Sequence, residues 1–368
     1  HLALQTLNRR KKQIKQRKAS EHFAQHGLFA PREDKSVTKN LQPLFVNGDL
    51  TFDSTLWETE FRTLYSGLFT DPENDVATQD ARLSRLRLDA VGGNYIVVPR
   101  FMLCDILAQS GRKRRSAPGL DGITWGALGC LPQAAVNLLV RLIEARINAD
   151  SGHDTLVTDW IHVAISLIPK VKNANTAKKW RPIALTSCLQ KVYLAVVTKL
   201  IQYYAEPCHQ MQYGFTSGKQ VMEITELCRL AAQKSTRWGA SLYTMKLDVH
   251  RAFDAMRHST IEVGLASSGC PVRLQLAVLR ELAHCDISLN FQGSVWEGIS
   301  YSKGGKQGGA DTPELWKRVL DVALRKAKGR WDVLALGASL GQESNSHGNN
   351  VYLDGLAWAD DIVLFSNS

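Results

Sequence analysis

"LAWADDIVLF", residues 356–365, is an apolar run broken by two adjacent aspartates. Leu356, Ala357 and Trp358 lead in and Ile362, Val363, Leu364 and Phe365 lead out, so the stretch reads as strand, turn, strand. Carboxylates are seldom buried without a partner, and two side by side repel each other more strongly as water is removed. Asp360–Asp361 is the single Asp-Asp dipeptide of the chain. Such a pair can be turn chemistry alone, because Asp favours turn positions. The reading is decided by what else in the chain the hairpin would meet, and by which positive charge.

Two further stretches supply that context. "KLDVHRAFD" (246–254) closes a candidate strand over 241–248 on Asp248, and "KGGKQGG" (303–309) opens a candidate helix. If the strand ending at Asp248 pairs beside the 356–365 hairpin, Asp248 and Asp360 meet at one edge of a sheet. Carboxylates gathered there need a cation between them. Hard divalent ions take oxygen ligands, and Mg²⁺ is usually held by one or two carboxylates plus substrate phosphates. Two such ions clamp the attacking and leaving oxygens of an in-line phosphoryl transfer. The expectation is that Asp248, Asp360 and Asp361 face Mg²⁺.

The rest of the chain sets bounds. Its 368 residues are 44% hydrophobic and 22% charged, the balance of a folded protein with a sizeable core. Lys plus Arg outnumber Asp plus Glu by 45 to 35, a net charge of +10. That excess suits a polyanionic partner, nucleic acid before membrane, although a merely basic globular protein has the same balance. The cysteines at 104, 130, 188, 208, 228, 270 and 285 form no CxxC, which reads as reduced thiols in an intracellular protein of the nucleus or cytoplasm. No apolar run approaches a membrane span, and there is no secretory pattern. The chain starts at His1 and stops three residues after an apolar strand, so a fragment of a longer protein is expected. Oligomeric state has no signature here.

Residues 1–20 carry seven Lys or Arg and no acid, either a basic helix lying on phosphates or a solvated end. Residues 30–56 read as a polar linker. Over 56–69, Leu56, Phe61, Leu64, Tyr65 and Leu68 share roughly one helical face. Little pattern follows before residue 100 beyond a helix near "ARLSRLRLDAV", so 1–100 is read as a basic extension and linker and 101–368 as the main domain. Strand-like "WIHVAISLIPK" (160–170) and "WRPIALTS" (180–187) flank a basic tip with Lys170, Lys172, Lys178, Lys179 and Arg181. The tip is either a solvated loop or a phosphate grip, for which an arginine fork at its base is suited. Helices are expected over 101–110, 131–147, 191–206, 221–233 and 271–284, and a hairpin over 286–302. Thr312 is the expected cap of a further helix, with Pro313 its first residue and Leu315, Trp316, Val319, Leu320 and Ala323 its buried face.

Taken in order, these stretches resemble a known family, the reverse transcriptases of non-LTR (LINE-type) retrotransposons. "SAPGLDGIT" (116–124), "RPIALTS" (181–187), "QYGFTSGK" (212–219), "KLDVHRAFD", "GGKQGGADTP" (304–313) and "AWADDIVLF" are each similar to one of its motifs, and the ordered set runs from about 110 to 368. The resemblance implies an α/β (α+β) right-hand polymerase with fingers and palm, the palm built on an antiparallel sheet with packing helices, and the thumb absent. It implies an RNA-directed DNA polymerase, a nucleotidyltransferase, that extends a DNA primer with dNTPs on an RNA template using two Mg²⁺ ions, with Mn²⁺ as a substitute. Asp248 and Asp360 would ligate the metals with Asp361 beside them. Phe253 would exclude a 2′-hydroxyl, or else simply pack. Gln307 and Gly308 would line the nucleotide, and Arg181 and Lys191 would face its triphosphate, unless Lys191 is merely solvated. The sequence departs from the family where Gly309-Ala310-Asp311 displaces the usual acid, and where Trp358 replaces a smaller aromatic. An RNA-dependent RNA polymerase and an inactive nucleic-acid-binding remnant stay open as alternatives, and the isolated 368 residues are expected to be inactive or very weak.

Overall fold

The computed structural model describes residues 43–46, 48–113, 117–119, 121–149, 158–306, 308–334, 336–342 and 350–367. The basic helix expected over 1–20, Gln307, and most of the polar loop over 341–350 lie outside the described residues. Elements run β1 (Leu44–Val46), β2 (Asp49–Thr51), α1 (Ser54–Phe69), α2 (Val76–Val91), α3 (Arg100–Ala108), α4 (Gln133–Ile147), β3 (His162–Pro169), β4 (Trp180–Leu185), α5 (Cys188–Tyr204), α6 (Val221–Trp238) and β5 (Tyr243–Asp248). Then follow α7 (His258–Ser267), α8 (Val272–Leu282), β6 (Cys285–Phe291), β7 (Ser294–Tyr301), α9 (Thr312–Val333), β8 (Ala338–Gln342), β9 (Asn350–Leu353), β10 (Gly355–Trp358) and β11 (Asp361–Ser366).

Two sheets organise the chain. A mixed sheet has the order β4-β3-β6-β7, with β3 and β6 parallel and the other pairs antiparallel. A smaller sheet, β10-β11-β5, is antiparallel throughout. Its β10–β11 hairpin is covered on both faces, because the two faces alternate in sequence, while β5 is exposed along its length. Ala357 and Ile362 enter the large helical core built from α2–α5 and α7–α9, while Leu356, Val363 and Phe365 pack with α6 residues such as Ala231.

Residues 43–56 of the expected linker and the boundary at residue 100 fall inside a single compact unit, Pro43–Ser368, and residues 30–42 lie outside the described residues. The reason is aromatic packing. The side chain of Asp53 caps α1 by accepting from the Thr55 amide at 2.8 Å. Trp57, Phe61, Tyr65, Leu68 and Phe69 then bury against the mixed sheet, with Phe61 and Trp57 centred 4.7 and 5.3 Å from Phe291. Leu56, expected on that face, is exposed, because Trp57 takes the buried position. In α9 the cap is Asp311 and not Thr312, which is already helical. Ala323 is exposed and Leu324 is buried, so the inward stripe turns by one residue near the C-terminal half.

The segment after α1 is locked to the glycine-rich loop by a buried network. Asn74 Nδ2 donates to Ser302 O at 2.6 Å and lies 3.1 Å from His258 Nδ1, while His258 Nε2 lies 3.3 Å from Gly304 O. A neutral ring satisfies both contacts, with Nδ1 accepting and Nε2–H donating. Protonation would set an Nδ1–H against the Asn74 amide donors. Burial accordingly pushes His258 down to about 4. A depressed histidine contributes stability that is complete above its unfolded value near 6.5 and is lost as pH falls toward 4. Urea unfolding at pH 7 and pH 5 should show a loss of about 2 kcal/mol that shrinks in His258→Gln. An equal loss in both proteins would remove His258 as the cause.

Candidate active site

Strand register brings the aspartates together. Asp248, the last residue of β5, stands directly opposite Asp361, the first of β11. The amide of Val249 donates to Asp360 O at 3.0 Å, so the strand end and the hairpin turn are joined by backbone. Ala359 and Asp360 form the two-residue turn between the paired Trp358 and Asp361, with Ala359 at φ 56°. Asp248 and Asp361 are exposed and Asp360 is half-buried.

The turn is held from behind by two elements. Trp316 on α9 donates its indole N–H to Ala359 O at 2.9 Å. The 211–214 segment runs along β10: Ala357 N donates to Met211 O, and Tyr213 N to Ala357 O, each at 2.8 Å. Gly214 lies so close that a Cβ there would sit 2.3 Å from the Ala359 amide nitrogen. The glycine of "QYGFTSGK" is thus required by proximity to the Asp-Asp turn.

Lys246 is the positive charge that the three carboxylates meet within the protein. Its Nζ lies 2.9 Å from Asp361 Oδ1. Its ammonium is held above the ordinary lysine range first by the hydrogen bond to Asp361 and that residue's charge, then by the charges of Asp248 and Asp360. Among the described residues, no three His, Cys, Asp or Glu side chains converge closely enough to hold a metal ion unaided. The donor set still fits Mg²⁺, which commonly takes only one or two protein carboxylates and completes its shell with water and phosphate. Asp248 and Asp360, hard oxygen donors on a solvent-facing sheet edge, satisfy that requirement.

The other expected residues fall in two groups. Phe253 is half-buried, its ring centred 6.2 Å from Trp316 and 6.0 Å from Phe215. Trp316 in turn bonds the Asp-Asp turn, so the Phe253 ring packs one residue away from it. Gly308, at φ 99°, is exposed on the outer edge of the mixed sheet, where a Cβ would approach Ala184 O at 3.3 Å. Arg181 is exposed on the same strand, β4. Lys191 is half-buried, and burial lowers its pKa; its charged neighbours are Lys113 and Asp121. Among the described residues no hydrogen bond or ion pair joins Arg181 or Lys191 to the three aspartates.

Lys306, which the motif reading passed over, anchors the glycine-rich loop. It is 3% exposed, and its Nζ donates to Glu281 O at 3.0 Å and Trp160 O at 3.3 Å. Its own carbonyl accepts from Gly309 N at 2.7 Å and from Thr312 Oγ1 at 2.9 Å. Gly309 is needed because a Cβ there would lie 2.7 Å from Asp311 Oδ1. The displaced acid, Asp311, is therefore folded inward, where burial raises its pKa. A buried lysine beside such a loop has no signature in composition or spacing. Lys246 was findable, since a residue two positions before Asp248 on a strand shares its face.

Comparison with known proteins agrees with this arrangement. The family described as reverse transcriptase (RNA-dependent DNA polymerase) matches residues 168–368, more than half of the chain. The chain is similar to the "Retrovirus-related Pol polyprotein from type-1 retrotransposable element R2" of Popillia japonica, 27% identical over 259 residues, covering 69% of this chain and 33% of that protein. It is similar to the "Retrovirus-related Pol polyprotein from type-2 retrotransposable element R2DM" of Drosophila melanogaster, 27% identical over 254 residues, covering 69% and 22%. It is also similar to the "Transposon TX1 uncharacterized 149 kDa protein" of Xenopus laevis, 25% identical over 272 residues, covering 71% and 19%. The chain thus spans a third or less of the length of these curated relatives. The LINE-type resemblance drawn from the ordered motifs is borne out, and the chain belongs to the reverse transcriptase (RNA-dependent DNA polymerase) family.

Proposed function

We propose that these residues carry the nucleotidyl-transfer centre of an RNA-directed DNA polymerase from a non-LTR retrotransposon. The observation that carries the reading is the register of Asp248 opposite Asp361, with Asp360 in the adjoining turn, in a chain of this family. On this reading the β10-β11-β5 sheet is the palm, the β4-β3-β6-β7 sheet with α1 belongs to the fingers, and no thumb lies among the described residues.

Asp248 and Asp360 would hold Mg²⁺, with Asp361 beside them. When bound, divalent ions supply Lewis-acid neutralisation of charge on the transferring phosphoryl group. The protein's own contribution is positioning. Gly308 offers a backbone approach with no side chain in the way. Arg181 and Lys191 supply positive charge for a triphosphate, Arg181 with a fork suited to phosphate oxygens. Gln307 would complete the pocket. The basic hairpin tip, with Lys170, Lys172, Lys178 and Lys179, would contact template phosphates, giving salt-sensitive and sequence-tolerant binding. The surroundings carry no membrane signature: among the described residues, no helix is long and apolar enough to cross a bilayer.

Phe253 provides the test of substrate class. Its ring, held between Phe215 and Trp316, would crowd a ribose 2′-hydroxyl. With the full-length protein, an RNA template and a DNA primer, dNTPs should be used at least about a hundredfold better than NTPs. Phe253→Val should erode that preference by about 1–3 kcal/mol, the scale of a steric pocket contact. Preferential use of NTPs by the native protein would assign it instead to RNA synthesis. Salt-sensitive RNA binding with no extension would leave a binding remnant.

A further inference from the structure

Three negative charges gathered on one sheet edge repel each other unless a cation lies among them, and in the metal-free protein that cation comes from the strand itself. Lys246 is two residues before Asp248 on β5, so both side chains leave the same face. Asp361 faces Asp248 across the strands, and Val363 faces Lys246. The lysine therefore reaches diagonally to Asp361. Neither partner is fixed by packing: the Lys246 side chain is 67% exposed and that of Asp361 is 50% exposed. Among the described residues, no other Lys or Arg pairs with any of the three aspartates.

We infer that Lys246 is a resident counter-cation of the carboxylate edge, one that occupies Asp361 in the metal-free protein and competes with the divalent ion for it. This rests on the reading of Asp248 and Asp360 as metal ligands. An exposed ion pair is weak and exchanges readily. It can therefore hold the aspartates in place without barring a doubly charged ion that also draws on Asp248 and Asp360. The ammonium nevertheless repels the incoming ion and ties up one of its oxygen donors. The consequence has an unusual sign: removing Lys246 should tighten metal binding, whereas a residue that only supported the fold would loosen it when lost.

The test is Mn²⁺ binding to the 368-residue chain at low ionic strength, measured by the electron paramagnetic resonance signal of free Mn²⁺, with no nucleic acid or nucleotide present. Lys246→Met should raise affinity about fivefold, the scale of one nearby charge acting on a divalent ion in a solvated site. Lys246→Arg, which keeps the charge, should stay within about twofold of the native protein. In an Asp361→Asn background the lysine has no anchor, and Lys246→Met should change affinity by less than about twofold. Unchanged or weaker binding in Lys246→Met overturns the inference, as does a fivefold gain that persists with Asp361→Asn. Failure of the underlying reading looks different. In that case the native protein shows no Mn²⁺ binding that Asp248→Asn abolishes, and the inference falls with it.

Discussion

Asp248→Asn should slow primer extension by about a thousandfold or more, matching the several kcal/mol that a divalent clamp contributes to phosphoryl transfer. The substitution preserves shape and removes only the charge. Asp248 is exposed at the end of β5, and its neighbour Val249 keeps the backbone bond to Asp360 whatever side chain stands at 248. Stability should therefore move by no more than about 0.5 kcal/mol, as for most exposed positions. Asp361→Asn should be milder, because Asp361 is engaged by Lys246. Steady-state extension on an RNA template, read beside urea unfolding, checks both statements. Equal and modest losses at 248 and 361 would show that Asp248 has no special standing. A large loss of stability would show a structural effect instead.

Gly214→Ala is expected to damage both stability and activity, although it adds one methyl group far from the carboxylates in sequence. The new Cβ would lie 2.3 Å from Ala359 N, 3.1 Å from Trp358 C and 3.2 Å from Ala359 Cα. All three are backbone atoms, so no side chain can swing aside. Overpacking of this kind costs about 1–3 kcal/mol. The relief available is a shift of the turn that carries Asp360, and a displacement of about 1 Å at a catalytic group can cost about a hundredfold in rate. Gly67→Ala is the matched control: it lies within α1 with nothing within 4 Å of a new Cβ. That change should be neutral or stabilise by up to about 1 kcal/mol, as expected of alanine in a helix. If Gly214→Ala matched it, the proposed crowding against the turn would be wrong.

Much of this arrangement is legible in the sequence, for physical reasons that differ between regions. The strands around Asp248 and the Asp-Asp pair carry apolar periodicity ended by turn residues, and their pairing needed only the assumption that the two acids meet. The helices over 133–147, 188–204 and 272–282 bury enough apolar side chains to fix their positions. The β1–β2 hairpin was hidden in what read as a linker, although the Asn-Gly of "VNGD" is a strong hairpin signal and Gly48 stands at φ 95°. The role of residues 54–69 was not readable, because their aromatic face gains meaning only against Phe291 and Trp296, more than two hundred residues later. Lys306 lay beyond reach for a related reason. Charge predicts a solvated side chain, and only the fold supplies the two carbonyls that satisfy it indoors.

On the proposed function, the β5 and β10–β11 edge is a metal-dependent centre for DNA synthesis on RNA. Its most direct test is primer extension by the full-length protein on an RNA template with dNTPs and Mg²⁺, beside an Asp360→Ala variant shown to be folded. Extension by the native protein should disappear when Mg²⁺ is chelated and should be absent in the variant. Extension that survives in folded Asp360→Ala would contradict it.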